Sequence, residues 1–235
     1  MLSVQAANYP HKRMMKNTSC KGSSMSLSIR TLVLGQVNTN CYLVWNTDTK
    51  EGIVIDPAED ASSITQAIEV EGFCLKGIYL THGHFDHIMA ASAVAAAYRV
   101  PVYCLVQEKE LAENTRWNLS DYFGCTYAIE PDGVLADGAI VQAAGMQMQV
   151  LHTPGHTKGS GCYYFAQEGI LFSGDTLFFE SVGRTDFPTG NASVLEQSIK
   201  EKLYVLPDTV TVYPGHGSKT SIGYEKKNNM LVQSD

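Results

Sequence analysis

His82-Gly83-His84-Phe85-Asp86-His87 places four potential metal ligands within six residues, directly after the apolar run Gly77-Ile78-Tyr79-Leu80. Imidazole and carboxylate donors suit zinc and, in mixed sets, iron or manganese. A regular helix or strand does not aim four such side chains inward, whereas a turn between a strand ending near Leu80 and a helix starting near Ile88 does. The alternative is a polar loop that is His-rich by chance, and the rest of the chain argues against it.

Three further segments repeat the same order of apolar strand, small or rigid residue, then ligand. His152-Thr153-Pro154-Gly155-His156-Thr157 follows an apolar strand at 147–151. Ser173-Gly174-Asp175-Thr176 follows a strand ending at Phe172, and Pro214-Gly215-His216-Gly217 follows one ending at Tyr213. Loops at strand ends are where a rigid sheet presents reactive groups. Of the seven histidines, only His11 lies outside these segments.

Elsewhere the pattern alternates strand and helix. Strands are expected at 29–34, 41–45, 52–56, 102–105, 139–141, 161–165 and 169–172, with a last one at 210–213. Ile64, Ala67 and Ile68 at helical spacing predict a helix over 60–71, and an alanine-rich run predicts another over 88–98. Ser193 with Glu196 forms a capping box that opens a helix bearing Val194, Leu195, Ile199 and Leu203 on one face. The polar, aromatic stretch 107–133 reads as a short helix plus an excursion over the site, and Gly35 to Asn40 as a polar turn.

The set HGHFDH, HTPGHT, SGDT and PGHG, in this order and preceded by the strand-end Asp56, resembles the metallo-β-lactamase superfamily over about residues 27–230. The resemblance implies an α/β (α+β) fold, an αββα sandwich of two mixed β-sheets with helices outside. It implies one metal on His82, His84 and His156, a second on Asp86, His87 and His216, and Asp175 bridging the pair. Asp56 matches a carboxylate that orients a ligand from behind, support that metal-bound histidines normally require. His152 falls outside the matched ligand set and is expected to be structural or to act from behind a ligand.

The implied cofactors are two divalent metal ions, zinc first, with iron or manganese also compatible. Such a pair, about 3.5–4 Å apart, supplies a metal-bridged hydroxide at neutral pH, and Asp86 can orient it. Thioesters suit this apparatus, because a thiolate leaves with little acid assistance and is soft enough to bind zinc. Within the superfamily the chain is most similar to short glyoxalase II-like (hydroxyacylglutathione hydrolase-like) hydrolases, on Asp175-Thr176-Leu177-Phe178, the run 182–187 and the ending at 221–226. Full-length members append a helical region that helps bind glutathione, and 19 residues follow His216 here. Arg184 is the candidate for gripping a substrate carboxylate, an ion pair with Asp186 being the other reading. Two rivals share the fold. One is a persulfide dioxygenase with a single iron on His82, His156 and Asp175; the other is a hydrolase of lactones or β-lactams.

Composition narrows the rest. With 235 residues, 44% apolar and 17% charged, the chain fits one globular domain. A net charge of -7 does not favour nucleic acid, and no apolar run reaches the roughly 20 residues that span a bilayer. The resemblance implies a small-molecule thioester as partner, and composition adds the expectation of no nucleic acid and no membrane. Cys20, Cys41, Cys74, Cys104, Cys125 and Cys162 are scattered without a paired motif and read as free, mostly buried thiols. Residues 1–25 hold Lys12, Arg13, Lys16 and Lys21, no acidic residue and no secretory h-region. A disordered extension ahead of a hydrolase domain at 26–235, in a cytoplasmic protein, is expected, an organelle transit segment being the alternative.

Overall fold

Thr39–Asn46 is buried at every position, so the strand needs a packed layer on each face. Cys41, Leu43 and Trp45 pack in one cluster with Ile64, Ile68, Ala91 and Val94. Tyr42 and Val44 point the other way, into a second cluster with Met146, Met148, Val150, Tyr163, Phe165 and Phe172. The period of two therefore sends alternate residues to a helical layer and to a second sheet. Each large apolar side chain so buried contributes about 1.5–3 kcal/mol.

The structure is a computed structural model and describes residues 27–233; the expected extension at 1–25 lies outside them. The first sheet contains β1 (Leu27–Leu34), β2 (Thr39–Asn46), β3 (Glu51–Ile55), β4 (Cys74–Tyr79), β5 (Val102–Leu105) and β6 (Gly133–Leu135), in that spatial order. Its first three strands are antiparallel neighbours, and β3 to β6 run parallel. The second sheet is built from β7 (Ile140–Ala143), β8 (Met146–His152), β9 (Gly161–Phe165), β10 (Ile170–Gly174), β13 (Thr211–Pro214) and β14 (Thr220–Ser221). Its order is β14-β13-β10-β9-β8-β7, with β10 and β13 parallel and the remaining neighbours antiparallel. A two-stranded hairpin, β11 (Leu177–Phe178) with β12 (Ser181–Val182), stands apart.

Helices α1 (Ala61–Glu71) and α3 (Ala91–Tyr98) cover the outer face of the first sheet. Helix α5 (Ala192–Ser198) and its π-helical continuation Ile199–Leu203 cover the outer face of the second. The result is the expected αββα sandwich of two mixed sheets. Short α2 (Phe85–Ile88) and α4 (Lys109–Ala112) lie on the connections, and α6 (Ile222–Asn228) follows β14. No helix among the described residues is long and apolar enough to cross a membrane. Of the described cysteines, Cys41, Cys104 and Cys162 are buried free thiols, Cys74 is exposed and Cys125 is half-buried.

Two local expectations are corrected. The helix at 88–98 is broken between α2 and α3, because the Ala90 amide donates to Pro57 and Ala58 carbonyls, both at 3.0 Å, instead of continuing the helical ladder. Helix α5 is capped by Asn191, whose side chain accepts the Val194 amide, and not by Ser193. The Asn191 backbone is extended and its amide donates to Gly155 O at 2.7 Å, which fixes the helix start beside the His156 loop. Leu195, Ile199 and Leu203 are buried as expected, while Val194 is half-buried.

Candidate metal centre

The four loops converge at one end of the sandwich. His82 follows β4; His84 sits at the start of α2, which carries Asp86 and His87. His156 lies in the loop after β8, Asp175 directly after β10, and His216 just beyond the end of β13, past Gly215. All seven residues proposed from the sequence are brought together. Three overlapping groups have ligand atoms within 4.8 Å of one another: His82, His84 and His156; His82, His87 and Asp175; Asp86, His87 and His216.

Asp175 stands between the clusters. One carboxylate oxygen lies 3.4 Å from His87 Nε2, and the other lies 3.5 Å from both His156 Nε2 and His216 Nε2. Asp86 Oδ2 is 3.4 Å from the Nε2 atoms of His87 and His216 and accepts a 2.7 Å hydrogen bond from Thr39 Oγ1. His84 Nδ1 and His156 Nε2 approach to 2.9 Å, a spacing that needs a proton or a cation shared between two lone pairs.

Outer nitrogens are tied so that inner ones face the cluster. His156 Nδ1 meets Arg184 O at 2.7 Å, and His87 Nδ1 meets Asp56 Oδ2 at 2.9 Å. His82 Nδ1 lies 3.2 Å from Thr81 Oγ1. The Nε2 atoms of His82, His84 and His87 and Oδ1 of Asp175 are buried without a hydrogen-bond partner. Unpartnered buried polar atoms are costly, and those on His82, His87 and Asp175, residues of one close group, are explained by a ligand that takes their lone pairs.

The electrostatics fit a cation as well. Burial and the neighbouring imidazoles hold His82 well below its ordinary pKa; burial and His156 bring His84 down to about 3. Burial also lowers His156, so these three rings are neutral donors at pH 7. Burial opposes charge on Asp86 and Asp175, but the surrounding donors together outweigh it: His87, His216 and Thr39 leave Asp86 below the usual carboxylate range, and His87, His156 and His216 leave Asp175 at about 2. His87 is raised despite its burial by Asp86, Asp175 and Asp56, three carboxylates that call for positive charge here. Neutral imidazoles beside ionised carboxylates are the donor set divalent metals take.

Asp56 is placed as expected, behind a candidate ligand. Besides His87 it accepts the Thr81 amide at 2.7 Å and the Thr81 hydroxyl at 2.6 Å. Its backbone is left-handed, φ 50°, a conformation costly for a residue with a Cβ and held by this network. His152 turns away: its Nε2 lies 3.0 Å from Lys158 O, outside the three groups. Sequence reasoning missed Thr39 and Asn40, taken there as the end of a turn. Asn40 donates from its amide to Gly215 O at 2.7 Å and from its side chain to Pro214 O and Gly217 O. It thus pins the His216 loop to the first sheet.

Above the cluster lies a cleft of about 370 Å³ walled by Phe85, Leu119, Phe123, Phe178 and Phe187. Phe187 packs edge-on to His84 and Phe178 edge-on to His216. Arg184 lines the same cleft, stacks over Phe187 at 3.8 Å and donates Nε and Nη2 to the two oxygens of Asp186, each at 2.7 Å.

Residues 34–216 match the family model described as the metallo-beta-lactamase superfamily. The chain is 34% identical over 211 residues to the hydroxyacylglutathione hydrolase GloC of Haemophilus influenzae, across 88% of this chain and 99% of that protein. Among solved structures it resembles the BLEG-1 B3 metallo-beta-lactamase with TM-score 0.84 and 36% identity, across 87% of this chain and 99% of that one. It also resembles the di-iron-bound form of TTHA1623, with TM-score 0.77 and 32% identity, across 86% and 100%.

Proposed function

The chain belongs to the metallo-β-lactamase superfamily, and on that premise we propose that it is a metal-dependent hydrolase of small-molecule thioesters such as S-lactoylglutathione. The observation that carries this reading is the Asp175 carboxylate, which faces His87 through one oxygen and His156 and His216 through the other. A bridging carboxylate supports a paired-cation centre over a closed, four-coordinate structural site. The similarity to a hydroxyacylglutathione hydrolase along nearly its whole length supports the substrate class.

His82, His84 and His156 would hold one divalent cation, Asp86, His87 and His216 the other, with Asp175 shared. Zinc is the first choice, and the relative with two irons keeps iron open. When bound, the pair lowers the pKa of coordinated water toward neutrality and polarises the acyl carbonyl. Asp86, ionised and fixed by Thr39, presents an acceptor that orients the attacking water. The phenylalanine walls exclude bulk water from the acyl and thiol groups, which favours a substrate with a soft, weakly hydrated leaving atom. Arg184 offers a guanidinium at the rim for a carboxylate of the thiol carrier. Its pairing with Asp186 is exposed on both sides and holds it only weakly against such an exchange.

One panel tests the reading: S-lactoylglutathione, a lactone and nitrocefin for hydrolysis, and glutathione persulfide for oxygen uptake. The thioester is expected to show the highest kcat/KM. Arg184→Ala is expected to raise its KM roughly tenfold, the loss of one charge-assisted interaction, with kcat unchanged. Fastest turnover of nitrocefin, or rapid oxygen uptake by protein holding a single iron, sinks the thioesterase assignment.

A further inference from the structure

Glu108 precedes α4 and is fully buried. A buried carboxylate is costly unless hydrogen-bonded, and burial pushes this one up to about 7 against the pull of its donors. Those donors come from the two loops that carry His82, His84 and His156. Oε1 accepts the Gly83 amide at 2.8 Å, and Oε2 accepts the Thr157 hydroxyl at 2.9 Å. The Gly159 amide bonds to the same carboxylate. Gly83 separates His82 from His84, and Thr157 follows His156. Thr157 is itself fixed, its amide donating to Ser160 Oγ at 3.0 Å and its hydroxyl lying 2.7 Å from the same oxygen.

The approach is close enough to exclude side chains at both glycines. A Cβ on Gly83 would stand 2.9 Å from Ala112 Cα, and one on Gly159 would stand 2.3 Å from the Glu108 amide. Two loops 72 residues apart, measured from His84 to His156, are thus drawn onto one side chain. Filling this slot for stability alone would favour an apolar residue, since a buried charge seldom improves on a hydrophobic isostere. The arrangement mirrors Asp56, which ties Thr81 and His87 behind the other cluster.

We propose that Glu108 is a positioning residue that sets the spacing of His82, His84 and His156 for one cation, acting through Gly83 and Thr157 without touching the reacting atoms. This rests on the reading of that trio as a metal site. Glutamine at 108 keeps the volume but replaces one acceptor with an NH2 donor, which cannot receive the backbone amides of Gly83 and Gly159 that the carboxylate accepts. Serine at 157 keeps the hydroxyl that reaches Glu108, and valine does not.

The test is competition between each protein and a chromophoric zinc chelator, run on wild type, Glu108→Gln, Thr157→Val and Thr157→Ser, with circular dichroism to confirm folding. Glu108→Gln is expected to bind one of its two zinc ions about 10–100-fold more weakly, the usual effect of removing support from behind metal ligands. The other zinc stays near wild-type affinity. Thr157→Val weakens the same ion, and Thr157→Ser restores it. Folded Glu108→Gln and Thr157→Val that both match wild type overturn the inference. If Glu108→Gln does not fold, the Thr157 pair decides: weakening by valine and recovery by serine support the inference, and equal affinities overturn it. A wild type that binds no zinc overturns the metal reading and this inference together, whereas variants indistinguishable from a two-zinc wild type overturn this inference alone.

Discussion

Asp86→Asn is expected to lower kcat/KM for the thioester about 10³-fold, the range associated with loss of a positioned acid–base group. The substitution is nearly isosteric, and the asparagine carbonyl can still accept from Thr39 Oγ1, as Asp86 Oδ2 does at 2.7 Å. What disappears is the negative charge that His87 and His216 face at 3.4 Å. In the proposed centre the second cation would lose an anionic donor and the attacking water its acceptor, while the core is untouched. KM should change far less than kcat, because Asp86 is asked to act on the reacting water and not on the substrate's remote parts. Steady-state kinetics on protein of measured metal content checks this. Activity within tenfold of wild type would remove Asp86 from the chemistry.

Gly215→Ala is the second large effect, and it comes from one methyl group. An added Cβ would stand 2.1 Å from Asp175 Oδ1, 2.8 Å from His87 Cε1 and 3.1 Å from Gly174 C. Asp175 has little room to retreat, because its other oxygen already faces His156 and His216. The loop is fixed too: the Gly215 amide donates to Gly174 O at 2.8 Å, and Gly215 O accepts from Asn40. Overpacking of this kind costs about 1–3 kcal/mol of stability. Displacing a shared carboxylate by about 1 Å costs roughly 10²-fold in rate. Gly217→Ala is the control, since nothing lies within 4 Å of its Cβ position, although its φ of +73° adds about 1–2 kcal/mol of backbone cost. Thermal unfolding with metal analysis and kinetics should show both variants folded, with only Gly215→Ala losing metal and activity. Equal activity in the two would mean that the 215 backbone does not govern Asp175.

Legibility in the sequence followed the range of the forces involved. The central strands β2, β3, β9 and β10 read as apolar runs because both their faces are buried, and the candidate ligands sit within a few residues of apolar strands, so local pattern finds them. Asp56 was found because it ends a strand as the family pattern requires. Thr39, Asn40 and Glu108 were not, since each acts through contacts distant in the chain: Asn40 reaches Pro214 across 174 positions, and Glu108 reaches Thr157 across 49. A polar residue next to an apolar strand does not by itself reveal such a partner. The break between α2 and α3 was invisible for the same reason, as the Ala90 amide is captured by the loop at 57–58 and propensity alone favours continuation. The cap of α5 was misplaced because Asn191 and Ser193 are both good caps, and only the bond to Gly155 O selects the first. Strands of two residues, as in β11, β12 and β14, carry no period to detect.

The most direct measurement is metal content of the protein purified without added metal, with thioester hydrolysis followed before and after chelation. About two equivalents of a divalent transition metal per chain are predicted, with activity lost on chelation and regained on adding the metal back. Only trace metal, or hydrolysis undiminished by the chelator, would contradict a paired-cation centre at these seven residues.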